Sequence, residues 1–207
     1  LPDQPQPERA LKQERSSSAM IFYWGMNTTF PELSLHNIFF SEDYREEFRQ
    51  IFTDQRLPDD PTVYLNMASL LSPKDAPKGH STWFILVNAP SDTGQDWEKG
   101  RAALRQTVIE KLSRILGRDI RPHIEAEDYL DPQRIQVRTG SYGGALYGSS
   151  SNTRTAAFFR HPNFNRRLKN LYFVGGSVHP GGGIPLCLSS AQIAADIIPD
   201  GPSVTTA

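Results

Sequence analysis

The sequence predicts an α+β chain: a mostly antiparallel sheet with helices, then a C-terminal strand–Gly loop–helix that belongs to an α/β layer. Three observations predict it. Several β-rich runs come in succession, without the regular strand–helix alternation of a doubly wound sheet. Residues 96–117 carry Trp97, Leu104, Val108, Ile109, Leu112, Ile115 and Leu116 at a spacing near 3.6. Finally, "NLYFVGGSVHPGGGIPLCLSSAQIAADII", residues 170–198, runs from an apolar segment through five glycines into a helical pattern.

Each element follows from its residues. Residues 1–18, rich in Pro, Gln and charge, read as a linker or surface segment. "AMIFYWGMN" (19–27) has the aromatic and branched content of a buried strand, and "LHNIFF" (35–40) is a second apolar run. "EDYREEFRQIF" places Tyr44, Phe48, Ile51 and Phe52 at helical spacing, and Asp59, Asp60 and Pro61 mark a turn. "TVYLNMASL" and "STWFILVNAP" are further strands, the latter stopped by Pro90. The long helix closes at Gly117, a usual C-terminal residue. "IRPHIEAEDYLDP" gives a strand and a polar turn, and "RIQVRTGSYGGALYGSSSNTR" a loop or a loop around a short helix. The expected division is 1–18 linker, 19–140 one domain, 141–198 a second unit, and 199–207 a tail. A single strand and helix cannot build their own doubly wound sheet, so its remaining strands are expected N-terminal to residue 1. The opening "LPDQPQPERALKQERSSS" reads as the interior of something longer, and the chain is expected to be a fragment.

Composition narrows the function classes. A net charge of -1 argues against a nucleic-acid binder. The single cysteine, Cys187, excludes an internal disulfide framework and fits a reducing compartment. The first twenty residues are polar and proline-dotted, unlike a secretory leader. Residues 170–195 hold no acidic or basic side chain apart from His179, yet five glycines and two prolines break any bilayer span. The histidines at 36, 80, 123, 161 and 179 show no ligand-like pair spacing, so no metal site is expected.

The chemistry is concentrated at the glycine loop. Glycine lets backbone approach a ligand with no Cβ in the way. A helix start adds unpaired N–H groups and partial positive charge. Gly181, Gly182, Gly183 and Ile184 would supply such groups, and Pro185 suits a first turn because it has no N–H. Named motifs do not fit. A G-x-G-x-x-G starting at Gly181 needs glycine where Leu186 stands, no P-loop lysine follows, and His179 replaces the last glycine of a nucleophile elbow around Ser177. A purely structural tight turn stays open as an alternative.

This segment, with "HNIFFSEDYREEF" and "GALYGSSSN" upstream, resembles the carotenoid desaturases, the phytoene-desaturase-like flavoproteins, and most nearly their bacterial hydroxycarotenoid and diapophytoene branches. The resemblance runs from about residue 16 to 198. It implies an FAD-dependent desaturase introducing C=C bonds into a carotenoid or isoprenoid chain, with residues 19–140 as the substrate domain and 141–198 returning to the FAD-binding domain. The missing N-terminal Rossmann portion would bind most of the FAD. Gly175, Gly176 and Ser177 would run past the diphosphate and ribityl chain; Gly182, Gly183, Ile184 and Pro185 would lie near the pyrimidine edge, and Gly181 would also be cofactor-binding. The same resemblance implies a lipophilic polyene substrate and a cytoplasmic, peripherally membrane-associated enzyme.

The remaining candidates are weighed against ordinary packing. The catalytic group is unassigned, His179 being the one titratable side chain of the loop, with a backbone-satisfied histidine as the plainer reading. Tyr142 and Tyr147 flank glycines and either line a substrate tunnel or pack. His36, between strand-like runs, reads as core or substrate wall. Cys187 reads as buried packing. Of Phe22, Tyr23, Trp24, Phe39 and Phe40 most are core, but one sheet face is available to wall an apolar tunnel. Arg160, Arg166, Arg167 and Lys169 form either a solvated face or a contact to anionic lipid. A flavin-dependent carotenoid isomerase, a retinoid saturase relative, and a non-catalytic isoprenoid-binding module are the alternatives.

Overall fold

The computed structural model describes residues 14–148, 160–165, 168 and 170–198. Residues 149–152 of "GALYGSSSN", Arg166, Arg167, Lys169, most of the N-terminal linker and the 199–207 tail lie outside the described residues. The chain divides into two compact units, one of residues 17–145 and one of residues 1–16 with 146–207.

In the larger unit, strands β1 (Ser18–Met26), β2 (His36–Phe39), β3 (Val63–Asn66), β4 (Ser81–Ala89) and β5 (Ile124–Leu130) form one sheet in the order β2-β3-β4-β1-β5. Every pairing is antiparallel. Register aligns Trp24 with Trp83 and Phe22 with Ile85 across β1 and β4. Because side chains alternate along a strand, Met20, Phe22, Trp24 and Met26 share one face with Trp83, Ile85, Val87, Val63 and Leu65, and all are buried. Helix α2 (Trp97–Leu116) covers that face with Trp97, Leu104, Val108, Ile109 and Leu112. Asp96 caps its start by accepting from the Lys99 amide, and Gly117 ends it in the left-handed conformation.

Helix α1 (Tyr44–Phe52) is laid on inside out. Its buried residues are Glu47, Gln50 and Ile51. The Glu47 carboxylate accepts from the Thr62 amide and hydroxyl, at 2.9 and 2.6 Å, and from the Ser41 hydroxyl at 2.8 Å. Gln50 exchanges hydrogen bonds with Asp59. Those bonds satisfy the buried polar face and leave Tyr44 exposed beside Phe40, with Phe48 and Phe52 stacked in line. The Lys111 ammonium, almost fully buried, uses its three donors on the Phe40 and Pro61 carbonyls and the Asp60 carboxylate. Helix α3 (Pro132–Thr139) follows β5, where the sequence allowed either a loop or a short helix.

In the smaller unit, helix α4 (Ile184–Ile197) follows the glycine loop as expected. The strand expected over residues 171–174 is corrected. This segment makes only isolated bridges, Phe164 with Tyr172 and, further on, His161 with Val178. A parallel strand needs a bonded neighbour along its length, and no named strand lies beside this segment among the described residues.

Candidate functional site

Two surfaces carry the candidate residues, one in each unit. In the smaller unit the loop between Tyr172 and α4 is tied down by two polar side chains. Asn163, 3% exposed, donates through Nδ2 to the Phe173 carbonyl at 3.1 Å, the His179 carbonyl at 2.9 Å and Ser190 Oγ at 2.8 Å. Ser190 Oγ, fully buried on α4, also accepts from the Gly175 amide at 3.1 Å. Arg160 donates to the Tyr147 and Gly176 carbonyls at 3.1 and 2.9 Å. The loop backbone is therefore held at both ends.

Held in this way, the loop glycines fall into two kinds. A Cβ on Gly182 would lie 2.6 Å from Tyr147 Cδ1, and one on Gly176 would lie 3.2 Å from the Gly182 Cα. These two sit against their own unit. Gly175 and Gly183 have φ of +120° and +97°, a region that L side chains avoid, and an added Cβ would meet nothing within 4 Å. Gly183 is the N-cap of α4, and no side chain caps that helix start. Its first turn contains no acidic residue and has a proline early in it. Bare N–H groups, partial positive charge and unobstructed backbone occur together, which suits the electron-rich edge of a flavin. Gly175, Gly183 and Ile184 are the residues that fit such a group.

Gly181 is buried and its absent Cβ faces Arg160; Ser177 and His179 are exposed. His179 contributes its backbone, donating its amide to the His161 carbonyl at 2.9 Å and accepting from Asn163. Cys187 is half-buried, with its sulfur 3.5 Å from where a Gly176 Cβ would be. Tyr147, 49% exposed, belongs to this unit, whereas Tyr142, 60% exposed, belongs to the larger one. Tyr147 is thus in the same unit as the loop, and His36, like Tyr142, is in the other.

The second surface is the sheet face opposite the core. Strand alternation turns Tyr23, Phe84 and Tyr64 to this side, with rings in contact at 5.6 Å (Tyr23 to Phe84) and 6.2 Å (Phe84 to Tyr64). A concave trough of about 480 Å³ lies along it, bordered by Tyr23, Gly25, Asn66, Thr82, Phe84 and Ala126. At one rim the Tyr129 amide and Arg134 hold the Asp128 carboxyl below the usual carboxylate range. The core reading of His36 is corrected. It is exposed on edge strand β2, on the sheet face away from the core, with Nδ1 2.8 Å from Tyr64 Oη. The aromatic stripe also divides: Phe22 and Trp24 are core, Phe39 packs on the core, and Phe40 is 66% exposed.

Sequence reasoning missed Asn163, Ser190 and the Tyr64–Asn66 pair. Strand alternation around Val63 and Leu65 would have put Tyr64 and Asn66 on one face. Nothing local marks Asn163 or Ser190, whose partners are distant in sequence.

No helix among the described residues is long and apolar enough to cross a membrane, and no group of three or more His, Cys, Asp or Glu residues among them is placed to hold a metal ion. Residues 26–199 match the family model described as flavin containing amine oxidoreductase. The chain is 56% identical over 200 residues to the "1-hydroxycarotenoid 3,4-desaturase" of Flavobacterium sp. (strain P99-3), covering 97% of this chain and 41% of that protein. It is 32% identical over 219 residues to the "Phytoene desaturase" of Fusarium fujikuroi (96% and 38% covered), and 36% identical over 186 residues to the "4,4'-diaponeurosporene oxygenase" of Staphylococcus haemolyticus (89% and 37%). The chain spans about two fifths of the length of these relatives.

Proposed function

The chain belongs to the flavin containing amine oxidoreductases, and from that membership we propose that it is the substrate-binding domain and closing flavin segment of an FAD-dependent carotenoid desaturase. The observation that carries the reading is the 56% identity over 200 residues to the hydroxycarotenoid desaturase. The open backbone at Gly175 and Gly183 supports it.

In this reading Gly183 and Ile184, at the uncapped start of α4, and Gly175, with its open backbone, are the residues that would hold FAD. FAD, when bound, supplies the hydride acceptor for dehydrogenation of an unactivated C–C bond. Asn163 and Ser190 would keep the loop that holds the group in place. The apolar face of Tyr23, Phe84 and Tyr64 positions the polyene and excludes water from it. The dinucleotide-binding unit, whose fingerprint is absent from these residues, is proposed to precede them in the same polypeptide. It would cover the exposed Val174, Ile184 and Leu188. Peripheral contact with a membrane follows from a substrate that dissolves there.

The test is to express the full-length polypeptide, load FAD, and incubate it with a 1-hydroxycarotenoid and an electron acceptor. Loss of two hydrogens with gain of one conjugated double bond is expected. A preparation that binds no flavin and leaves the polyene unchanged would falsify the reading. The relatives named as oxygenases, at 35–38% identity, favour one second reading, oxygenation of the polyene. Its product would gain oxygen.

A further inference from the structure

The interior strand β1 carries a glycine, Gly25, where it pairs with β4 on one side and β5 on the other. A glycine inside a strand weakens it, because it loses the most chain entropy on ordering and has no side chain to pack. The demands of a fold that commonly excuse such a residue do not apply here. The backbone at Gly25 does not take a positive φ, unlike Gly175 or Gly183. An added Cβ would not clash: its nearest neighbour would be Ala126 Cβ at 3.5 Å, an ordinary van der Waals contact. The sheet does lose register just beyond this point, where Gly25 pairs with Ala126 and Met26 with Ile124. The residue left over is Glu125, so the irregularity is carried by β5. The β1–β4 ladder passes through Gly25, opposite Thr82, without a break.

What Gly25 does face is the trough. Trp24 and Met26 are buried in the core, so strand alternation turns Gly25 to the opposite side with Tyr23. There it borders the concavity of about 480 Å³ together with Thr82 and Ala126, its partners on β4 and β5. Two residues away along β1 and β4 stand Tyr23 and Phe84, their ring centroids 5.6 Å apart. The surface therefore steps down from aromatic rings to bare backbone. A glycine that the fold does not use, on the floor of an apolar concavity, marks a place where a ligand comes against the chain. The backbone polar groups of an interior strand are taken up by its ladders, so this floor suits an apolar ligand. A conjugated chain, thin and flat, can lie on it while the rings beside it supply dispersion contact.

We propose that Gly25 is a specificity-determining residue of the sheet face, kept bare so that the polyene can lie against the strand backbone, at the expense of strand stability. The proposal rests on the polyene-binding reading above. Its signature is a pair of opposite effects, which a merely structural glycine would not give. With the full-length, FAD-loaded protein in detergent micelles, the shift in polyene visible absorbance gives Kd for the 1-hydroxycarotenoid of the turnover test. Melting followed by circular dichroism on the same preparations gives stability. Gly25→Ala is expected to melt above the wild type, because alanine orders at less entropic cost, and yet to bind the polyene more weakly. Gly25→Val, with a branched side chain that suits a strand, is expected to raise Kd by about tenfold or more, the equivalent of about 1.4 kcal/mol or more. An unchanged Kd in Gly25→Val overturns the proposal; should that variant fail to fold, an unchanged Kd in Gly25→Ala does so. A Gly25→Ala protein that melts below the wild type overturns it as well, since the fold or another segment of the polypeptide would then need the bare backbone. Wild-type binding that neither substitution disturbs removes this role of Gly25 and leaves the polyene reading standing. Binding that the substitutions weaken, without desaturation, does the reverse for the desaturase reading. Failure of the wild type to bind the polyene ends both.

Discussion

Gly182 and Gly183 are adjacent, yet their surroundings predict different consequences of the same substitution. Valine at 182 would drive a branch into the Tyr147 ring, 2.6 Å from an ideal Cβ. Gly182→Val is expected to lower the melting temperature, and pairing it with Tyr147→Ala should restore part of the loss. Valine at 183 meets no atom within 4 Å. Its cost is the positive φ, on the order of 1–3 kcal/mol, and its branch enters the space assigned to the flavin. Gly183→Val in the full-length protein is therefore expected to purify folded but depleted of flavin, by absorbance per mole of protein. Full flavin content in that variant would mean that the glycines only make a turn. Gly117→Val, at the end of α2, serves as the control: strained by a positive φ as well, it should cost stability and spare the flavin.

At the scale of elements, the glycine loop depends on a knot made by two side chains. Asn163→Ala strips donors from the Phe173 and His179 carbonyls and from Ser190, and buried groups left without partners cost about 1–3 kcal/mol each. Ser190→Ala removes the acceptor of the Gly175 amide. The two losses share a bond, so the double variant is expected to be less destabilised than their sum in urea titrations followed at the smaller unit. Strict additivity would mean that the two residues act independently. The knot also shows what the sequence could and could not reveal. Strands β1 and β4, helix α2 with its Gly117 stop, and the helix after the glycines were legible because their signals are periodic and local. The α1 helix was legible as a helix, but its inward face was not. Its residues gave helical spacing alone, and only the long-range partners of Glu47 explain why the polar side faces in. The segment at residues 171–174 read as a strand from composition alone, and the bonding partner that would make it one is not set by its own residues. The loop was found from its glycines; Asn163 and Ser190, which hold it, were not, since an asparagine after a proline more often marks a turn.

For the whole molecule, the flavin contacts proposed among the described residues are those of one loop and one helix start. Affinity is what remains after the cost of association, and the fingerprint that would supply most contacts is absent from these residues. This chain expressed alone is therefore expected to be colourless, and a stoichiometric yellow preparation would count against the proposed division of labour. The division into two units also determines how their unfolding can be watched. All three tryptophans, Trp24, Trp83 and Trp97, lie in the core of the larger unit, and the one thiol, Cys187, lies in the smaller. Indole emission should therefore follow the sheet domain alone and stay silent while the glycine loop opens. A thiol-reactive dye should follow the loop and helix α4 alone. Two optical channels, one per unit and requiring no engineered label site, would show whether the units melt together or in turn.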